Sequence, residues 1–189
     1  MHTAIIISGP AGIGKSTVAK ALQARYPVLL ASVTYTTRPA RPGAVEDKKI
    51  YYVTTENFES DIAKGEFLEW ARVHGQYYGT HKTETLKLLE TNPVIFNIDV
   101  QGMQQLIKFL PADKLITIFL LPESTEQTIA HIRKRGHIEP ADFAARMESA
   151  ERELAHQDDF QYKIINSEGK LAETVDKIAQ IIEPHLCVN

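Results

Sequence analysis

Cysteine is nearly missing: the 189 residues contain one, Cys187. A single thiol cannot close an intramolecular disulfide, so a reducing compartment is expected. No set of Cys and His has the spacing of a zinc site. No apolar run approaches the ~20 residues that span a bilayer. The N-terminus lacks the basic region and long apolar core of a secretory signal. A cytoplasmic location without a membrane partner is therefore expected. An excess of positive charge is also lacking: Lys and Arg total 21 against 24 Asp and Glu, a formal net charge of −3. That argues against a general nucleic-acid or membrane-surface binder. The remaining composition, 43% apolar and 24% charged, suits one domain with a substantial core.

One local pattern stands out. Residues 9–16 read Gly-Pro-Ala-Gly-Ile-Gly-Lys-Ser, directly after the apolar run Ala4–Ser8 and directly before a helical pattern. Gly9, Gly12 and Gly14 let the backbone turn tightly and aim N–H groups inward. The following helix points its positive end at the same spot. Pro10, Ala11, Ile13 and Thr17 complete the cradle, Lys15 is placed to reach β/γ-phosphates, and the Ser16 hydroxyl is placed to ligate Mg²⁺. The expected ligand is a polyphosphate.

Apolar periodicity gives the frame. Strands are expected at 4–8, 28–33, 50–53, 67–73, 77–80, 94–98, 114–121 and 162–166. Helices are expected at 16–26, 55–65 with Thr55 as cap, 83–90, 102–110, 124–136, 140–156 and 171–183. Ser124 and Gln127 form a capping box, and Pro140 suits a first helical turn. Alternation of five strands with helices predicts an α/β fold with a mostly parallel, doubly wound sheet. Residues 34–82 break that rhythm, with 34–49 reading as a polar loop. The expected organisation is a single domain over 1–189: core 1–33, 83–133 and 157–189, an inserted nucleotide-binding subdomain 34–82, and a helical lid 134–156.

A phosphate loop on such a core suits a GTPase, a motor or a small-molecule kinase. No Asn-Lys-x-Asp guanine reader occurs, and motors are usually larger, so the insertion decides. Arg38 and Arg41 stand three apart in a Pro-stiffened loop, a pair able to grip a phosphate; a solvated surface loop would look the same. Glu69 lies in Phe-Leu-Glu-Trp, where a mid-strand carboxylate can also face solvent. Tyr77-Tyr78-Gly79-Thr80 brings phenol and hydroxyl groups that would serve equally as core or edge aromatics.

Taken in order, the phosphate loop, Ser32–Gly43, Phe67–Trp70, Tyr77–Thr80 and Ile98–Gly102 resemble the guanylate kinases, and the resemblance runs over essentially the whole chain. It implies transfer of the γ-phosphoryl of ATP to GMP or dGMP, with Mg²⁺. Arg38, Arg41 and Tyr78 would hold the GMP phosphate, with Thr34 at a neighbouring position. Glu69 and Thr80 would read guanine. Asp99 would lie near metal and acceptor, so Ser16 and Asp99 are the implied metal residues. Arg135 and Arg146 would belong to a lid over the ATP phosphates, with Arg133 as a helper, and Asn166 would lie near the adenine ring. With Lys15 and Arg38, the two lid arginines make up the implied catalytic set. The acceptor is a phosphate oxygen, largely dianionic at neutral pH with a second pKa of ~6, so no general base is needed.

The chain departs from that pattern in places. Thr34-Tyr35 stand where two serines are common, and Ala44 replaces a glutamate. Ile50 replaces a tyrosine that bonds the acceptor phosphate. Tyr52 lies on the same strand face but ~6.7 Å further along, and Tyr51 faces the other way, so neither is a simple substitute. Asn97 and Ser167 stand at positions that are commonly acidic. Three alternatives stay open: a kinase with a ribose bisphosphate acceptor, a nucleoside monophosphate kinase of different base preference, and a non-catalytic guanylate kinase-like interaction module.

Overall fold

A computed structural model of the chain describes residues 1–40, 49–73, 75–133 and 140–186. Its strands are β1 Ala4–Ser8, β2 Leu30–Ala31, β3 Thr34–Thr36, β4 Ile50–Tyr52, β5 Phe67–Val73, β6 Gln76–His81, β7 Val94–Asn97, β8 Leu115–Leu121 and β9 Tyr162–Ile165. Its helices are α1 Lys15–Arg25, α2 Thr55–Lys64, α3 Lys82–Thr91, α4 Val100–Leu106, α5 Thr125–Arg133, α6 Pro140–Ala155 and α7 Leu171–Ile182.

The main sheet is all parallel, in the order β2-β7-β1-β8-β9. Parallel strands covered on both sides read as near-continuous apolar runs, and β1 is buried at all five positions. Its side chains alternate between two cores. Ile5 and Ile7 pack with Val18 and Leu22 of α1 and with Val175 and Ile178 of α7. Ala4 and Ile6 pack with Leu89 of α3 and with Met103 and Leu106 of α4. The chain leaves β1 for β2 on one side of it and later crosses from β7 to β8 on the other, so a crevice opens at the carboxyl end of β1. The phosphate loop leaves β1 there, Asp99 leaves β7, and Asn166 leaves β9.

A second sheet, β4-β3-β6-β5, carries the insertion. Residues 34–36 were expected in a loop; they form β3, paired with both β4 and β6. The expected strand at 28–33 shortens to two residues, because β2 is an edge strand paired only along Leu30 and Ala31. Thr54, one residue before the expected cap, accepts the Asn57 N–H at 3.2 Å and opens α2, and Gly65 closes it at φ 72°. α4 starts two residues early, because the Asp99 carboxylate accepts the Gly102 N–H at 2.8 Å and sets its N-terminus.

The underside of this sheet is aromatic. Phe58 of α2 stacks on Phe67 at 4.4 Å and on Tyr77 at 5.1 Å, and Tyr35 stacks on His81 at 4.9 Å. Glycine at 79 makes room for it, since a Cβ there would lie 2.9 Å from both Phe58 Cζ and Phe67 Cδ1. Overpacking of that kind costs about 1–3 kcal/mol. Gly79→Ala should lower the melting temperature by several degrees, measured by thermal unfolding; an unchanged melting temperature would mean that the aromatic layer yields freely.

Candidate active site

A cleft of about 1100 Å³ runs between the two sheets, walled by the phosphate loop and α1, by the upper face of the second sheet, by the end of β7 and by α6. It brings together Ala11, Lys15, Ser16, Thr34, Arg38, Glu69, Tyr78, Thr80 and Asp99, residues expected from sequence to share a site.

The phosphate loop has the expected backbone. Gly9, Gly12 and Gly14 have φ of 139°, 90° and 99°. Gly14 caps α1 in the left-handed region, and no side chain caps that helix. The N-terminus of α1, where the helix dipole is positive, thus faces the loop as an anion site would require. The Lys15 ammonium folds onto the Gly9 and Pro10 carbonyls, inside the turn it would serve. Ser16 Oγ accepts a hydrogen bond from Asn97 Nδ2 at 2.9 Å, which leaves the hydroxyl a lone pair.

Opposite lies Glu69, 5% exposed. Its direction comes from a β-bulge. The β5–β6 pairing shifts register between Phe67 and Glu69, so Phe67 turns down onto Phe58 while Glu69 turns up into the cleft. In a regular strand these two would share a face. The Thr80 hydroxyl donates to Glu69 Oε1 at 2.5 Å. The other oxygen rests against Gly102, where a Cβ would lie 2.6 Å away. Burial pushes the Glu69 carboxyl up to about 7, with Asp99 adding to the rise and hydrogen bonds from Thr80 opposing it. An acceptor-only group held at that threshold is suited to a ligand that brings two donors.

Three further observations complete the walls. The Arg38 N–H is held by Thr36 Oγ1 at 3.1 Å. Its guanidinium donates to the Tyr52 hydroxyl at 3.3 Å and sits 5.6 Å from the centre of that ring. Ile50 lines the cleft, and Tyr35 turns away from it onto His81. On α6, Ala145, Ser149, Arg152, Glu153 and His156 face the cleft. Burial raises the Glu153 carboxyl, and the Lys15 charge offsets that rise, which places α6 within the field of the phosphate loop.

The comparisons agree over the whole chain. A family model described as guanylate kinase matches residues 1–185. This chain belongs to the guanylate kinase family. A guanylate kinase of Gloeobacter violaceus is 38% identical over 179 residues, covering 94% of this chain and 85% of the relative. One of Tropheryma whipplei is 39% identical over 169 residues, covering 88% and 86%. Among solved structures, the guanylate kinase of Anaplasma phagocytophilum superposes with a TM-score of 0.76 at 27% identity, covering 98% of this chain and 86% of that one. A shikimate kinase of Bacteroides thetaiotaomicron, at 14% identity and TM-score 0.51, shares the fold.

Within that family frame, Arg41, Ala44 and Arg135 lie outside the described residues. Arg146 lies on α6 one turn before Ser149, whereas Arg152, unremarked in the sequence, contributes to the wall and pairs with Glu148 at 3.3 Å. Asn166 meets the loop by its side chain, donating to the Ile13 carbonyl at 2.6 Å. Tyr52, on the strand face expected from alternation, meets Arg38, a pairing that strand register alone did not reveal.

A carboxyl with a folded pKa near 7 and an ordinary unfolded one favours the native state fully below pH 4.5. That contribution disappears as pH rises through 7, an effect of about 3 kcal/mol for this shift. Glu69→Gln should therefore melt above the parent protein at pH 8, with the gap closing toward pH 5. Thermal unfolding across that range checks it, and a gap independent of pH would contradict the raised carboxyl.

Proposed function

We propose that this chain phosphorylates GMP and dGMP at the expense of ATP, with the phosphate loop as donor site and the Glu69–Thr80 pair as guanine reader. The observation that supports the reading is the buried carboxylate turned by its bulge into the same cleft as Lys15. Guanine presents N1–H and N2–H₂ as adjacent donors, which two carboxylate oxygens can accept together. Adenine offers a lone pair at N1 and would leave Glu69 unpaired. The Thr80 hydroxyl can turn from Glu69 to donate to guanine O6.

Chemistry at this site is positioning and electrostatics. Arg38, with Tyr78, Thr34 and, from the sequence, Arg41, would hold the acceptor phosphate. Lys15 and the loop N–H groups would hold the donor phosphates. Arg135 and Arg146 would add positive charge from a lid spanning 134–156. Residues 1–189 would form a single domain in which 34–82 is the acceptor-binding insertion and 1–33, 83–133 and 157–189 are the core. Mg²⁺ suits this donor set: Ser16 and Asp99 are hard oxygen donors on the cleft wall. Among the described residues no cluster of three or more His, Cys, Asp or Glu could hold a metal ion; the proposed cation would be carried largely by the nucleotide phosphates. When bound, it would neutralise phosphate charge. The expected partners are small molecules, without nucleic acid. Among the described residues no helix is long and apolar enough to cross a membrane; a cytoplasmic enzyme is proposed.

An acceptor panel tests this reading. With ATP and Mg²⁺, GMP and dGMP should be phosphorylated and AMP rejected by ~10⁴-fold or more in kcat/KM. Glu69→Gln should cost about 2–4 kcal/mol of kcat/KM for GMP and leave the KM for ATP unchanged. Equal turnover of AMP, or preference for ribose 1,5-bisphosphate, would remove Glu69 from base reading.

Tyr52 supplies a second expectation. With Ile50 carrying no hydroxyl, Arg38 leans on the Tyr52 ring and phenol. Tyr52→Leu should raise the KM for GMP several-fold with kcat little changed, and Tyr52→Phe should fall between. An equal rise in the KM for ATP would place Tyr52 outside the acceptor site.

A further inference from the structure

The residue after β9 makes four hydrogen bonds, and one of them ends on the phosphate loop. The Asn166 N–H donates to the Leu121 carbonyl at 2.9 Å, and its own carbonyl accepts from Gln127 Nε2 at 2.9 Å. These two bonds fix the Asn166 backbone to the carboxyl end of β8 and to α5. Its side chain then spans two elements. Nδ2 donates to the Ile13 carbonyl at 2.6 Å, and Oδ1 accepts from the Thr174 hydroxyl of α7 at 2.8 Å. Thr174 is 1% exposed, so its hydroxyl needs an internal partner. The amide cannot be turned over, because that would set Oδ1 against the Ile13 carbonyl, acceptor facing acceptor.

We propose that Asn166, oriented by Thr174, is a positioning residue for the phosphate loop, and that it serves the nucleotide through the loop backbone instead of reading its base. The inference rests on the loop being the triphosphate site.

The reason lies in the Ile13–Gly14 peptide. A trans peptide is planar, with its C=O and N–H pointing to opposite sides, and the described chain has no cis bonds. Fixing the Ile13 carbonyl on Asn166 therefore turns the Gly14 N–H to the other side of the loop, toward a bound anion. Without a brace this orientation would be held weakly. Gly12 and Gly14 both have positive φ, and glycine passes between backbone conformations at little cost. The brace also lies close: a Cβ on Gly14 would fall 2.9 Å from Asn166 Nδ2. Glycine at 14 thus serves the contact as well as the turn. Ile13 supplies the third fixed point, its side chain buried among Val18, Leu120 and Ile164.

A base reader and a loop brace differ in what they do to a ligand without a base. Calorimetric titration of the full chain with Mg²⁺–ATP and with Mg²⁺–tripolyphosphate, for the parent, Asn166→Ala, Thr174→Val and Thr174→Ser, separates them. Asn166→Ala and Thr174→Val should weaken both ligands by the same factor, roughly three- to tenfold, with the ratio of the two affinities and the affinity for GMP unchanged. Thr174→Ser, which keeps the hydroxyl, should bind like the parent. Loss confined to ATP would make Asn166 a base reader and overturn the proposal. A fall in melting temperature with unchanged affinities would also overturn it, leaving a purely structural bridge. If Asn166→Ala fails to fold, the two Thr174 variants carry the test alone. A parent protein that binds neither ligand would remove the donor-site reading itself, an outcome distinct from parent and variants binding both alike.

Discussion

The fold is arranged around a helix that is left uncapped. The N-cap of α1, Gly14, has no side chain to cap the helix, and the first turn has no acidic residue, although helix N-termini are commonly capped by a side chain. A glycine cap suits an anion site and removes the usual means of holding a helix terminus in place. The surroundings supply the restraint. Ile13 is sunk into the core below the sheet, Asn166 grips the loop from the last strand, and Asn97 holds Ser16 from β7. Each of these residues comes from the carboxyl end of a parallel strand or from the loop beside one. Parallel winding collects such ends at one edge of the sheet, so chain segments more than 150 residues apart can meet at one turn.

The second sheet solves a different problem, that of keeping a carboxylate dry while facing a ligand. Burial of Glu69 is unfavourable to its charged form, and hydrogen bonds from the Thr80 hydroxyl and backbone offset part of this. The bulge is the means. It lets one short strand face its aromatic underside at Phe67 and the cleft at Glu69. Arg38 follows β3 by two residues and meets Tyr52 of β4, so acceptor phosphate and acceptor base would be read from a single surface whose geometry is set by β3–β6 pairing.

Features that depend on neighbours in sequence were readable. The phosphate loop, the mostly parallel core, β5 at 67–73 and the start of α6 at Pro140 follow from local spacing. Features that depend on pairing were not. β3 was hidden because Pro39, Pro42 and Gly43 made its surroundings read as loop, while its stability comes from Thr80 and Ile50 on partner strands. The bulge was invisible because it is a property of two strands together. Asp99 was readable as a candidate site residue but not as the cap of α4; it lines the cleft and caps that helix. Thr174 gave no signal at all: a threonine on the buried face of an amphipathic helix looks like packing until its hydroxyl is seen to end on Asn166.

The aromatic layer beneath the second sheet has a consequence for how damage would spread. Phe58, Phe67, Tyr77, Tyr35 and His81 pack on one another and lie outside the two clusters that sandwich the main sheet. Leu68, by contrast, belongs to the cluster shared with β7 and α4, so β5 is rooted in the main core by that side chain. Local opening follows such boundaries. The insertion can lose its order as a unit while the parallel sheet and its phosphate loop persist, and amide exchange would then report two protection classes divided at β5. A protein injured there would still grasp its triphosphate and would fail to recognise anything to hand the phosphoryl group to.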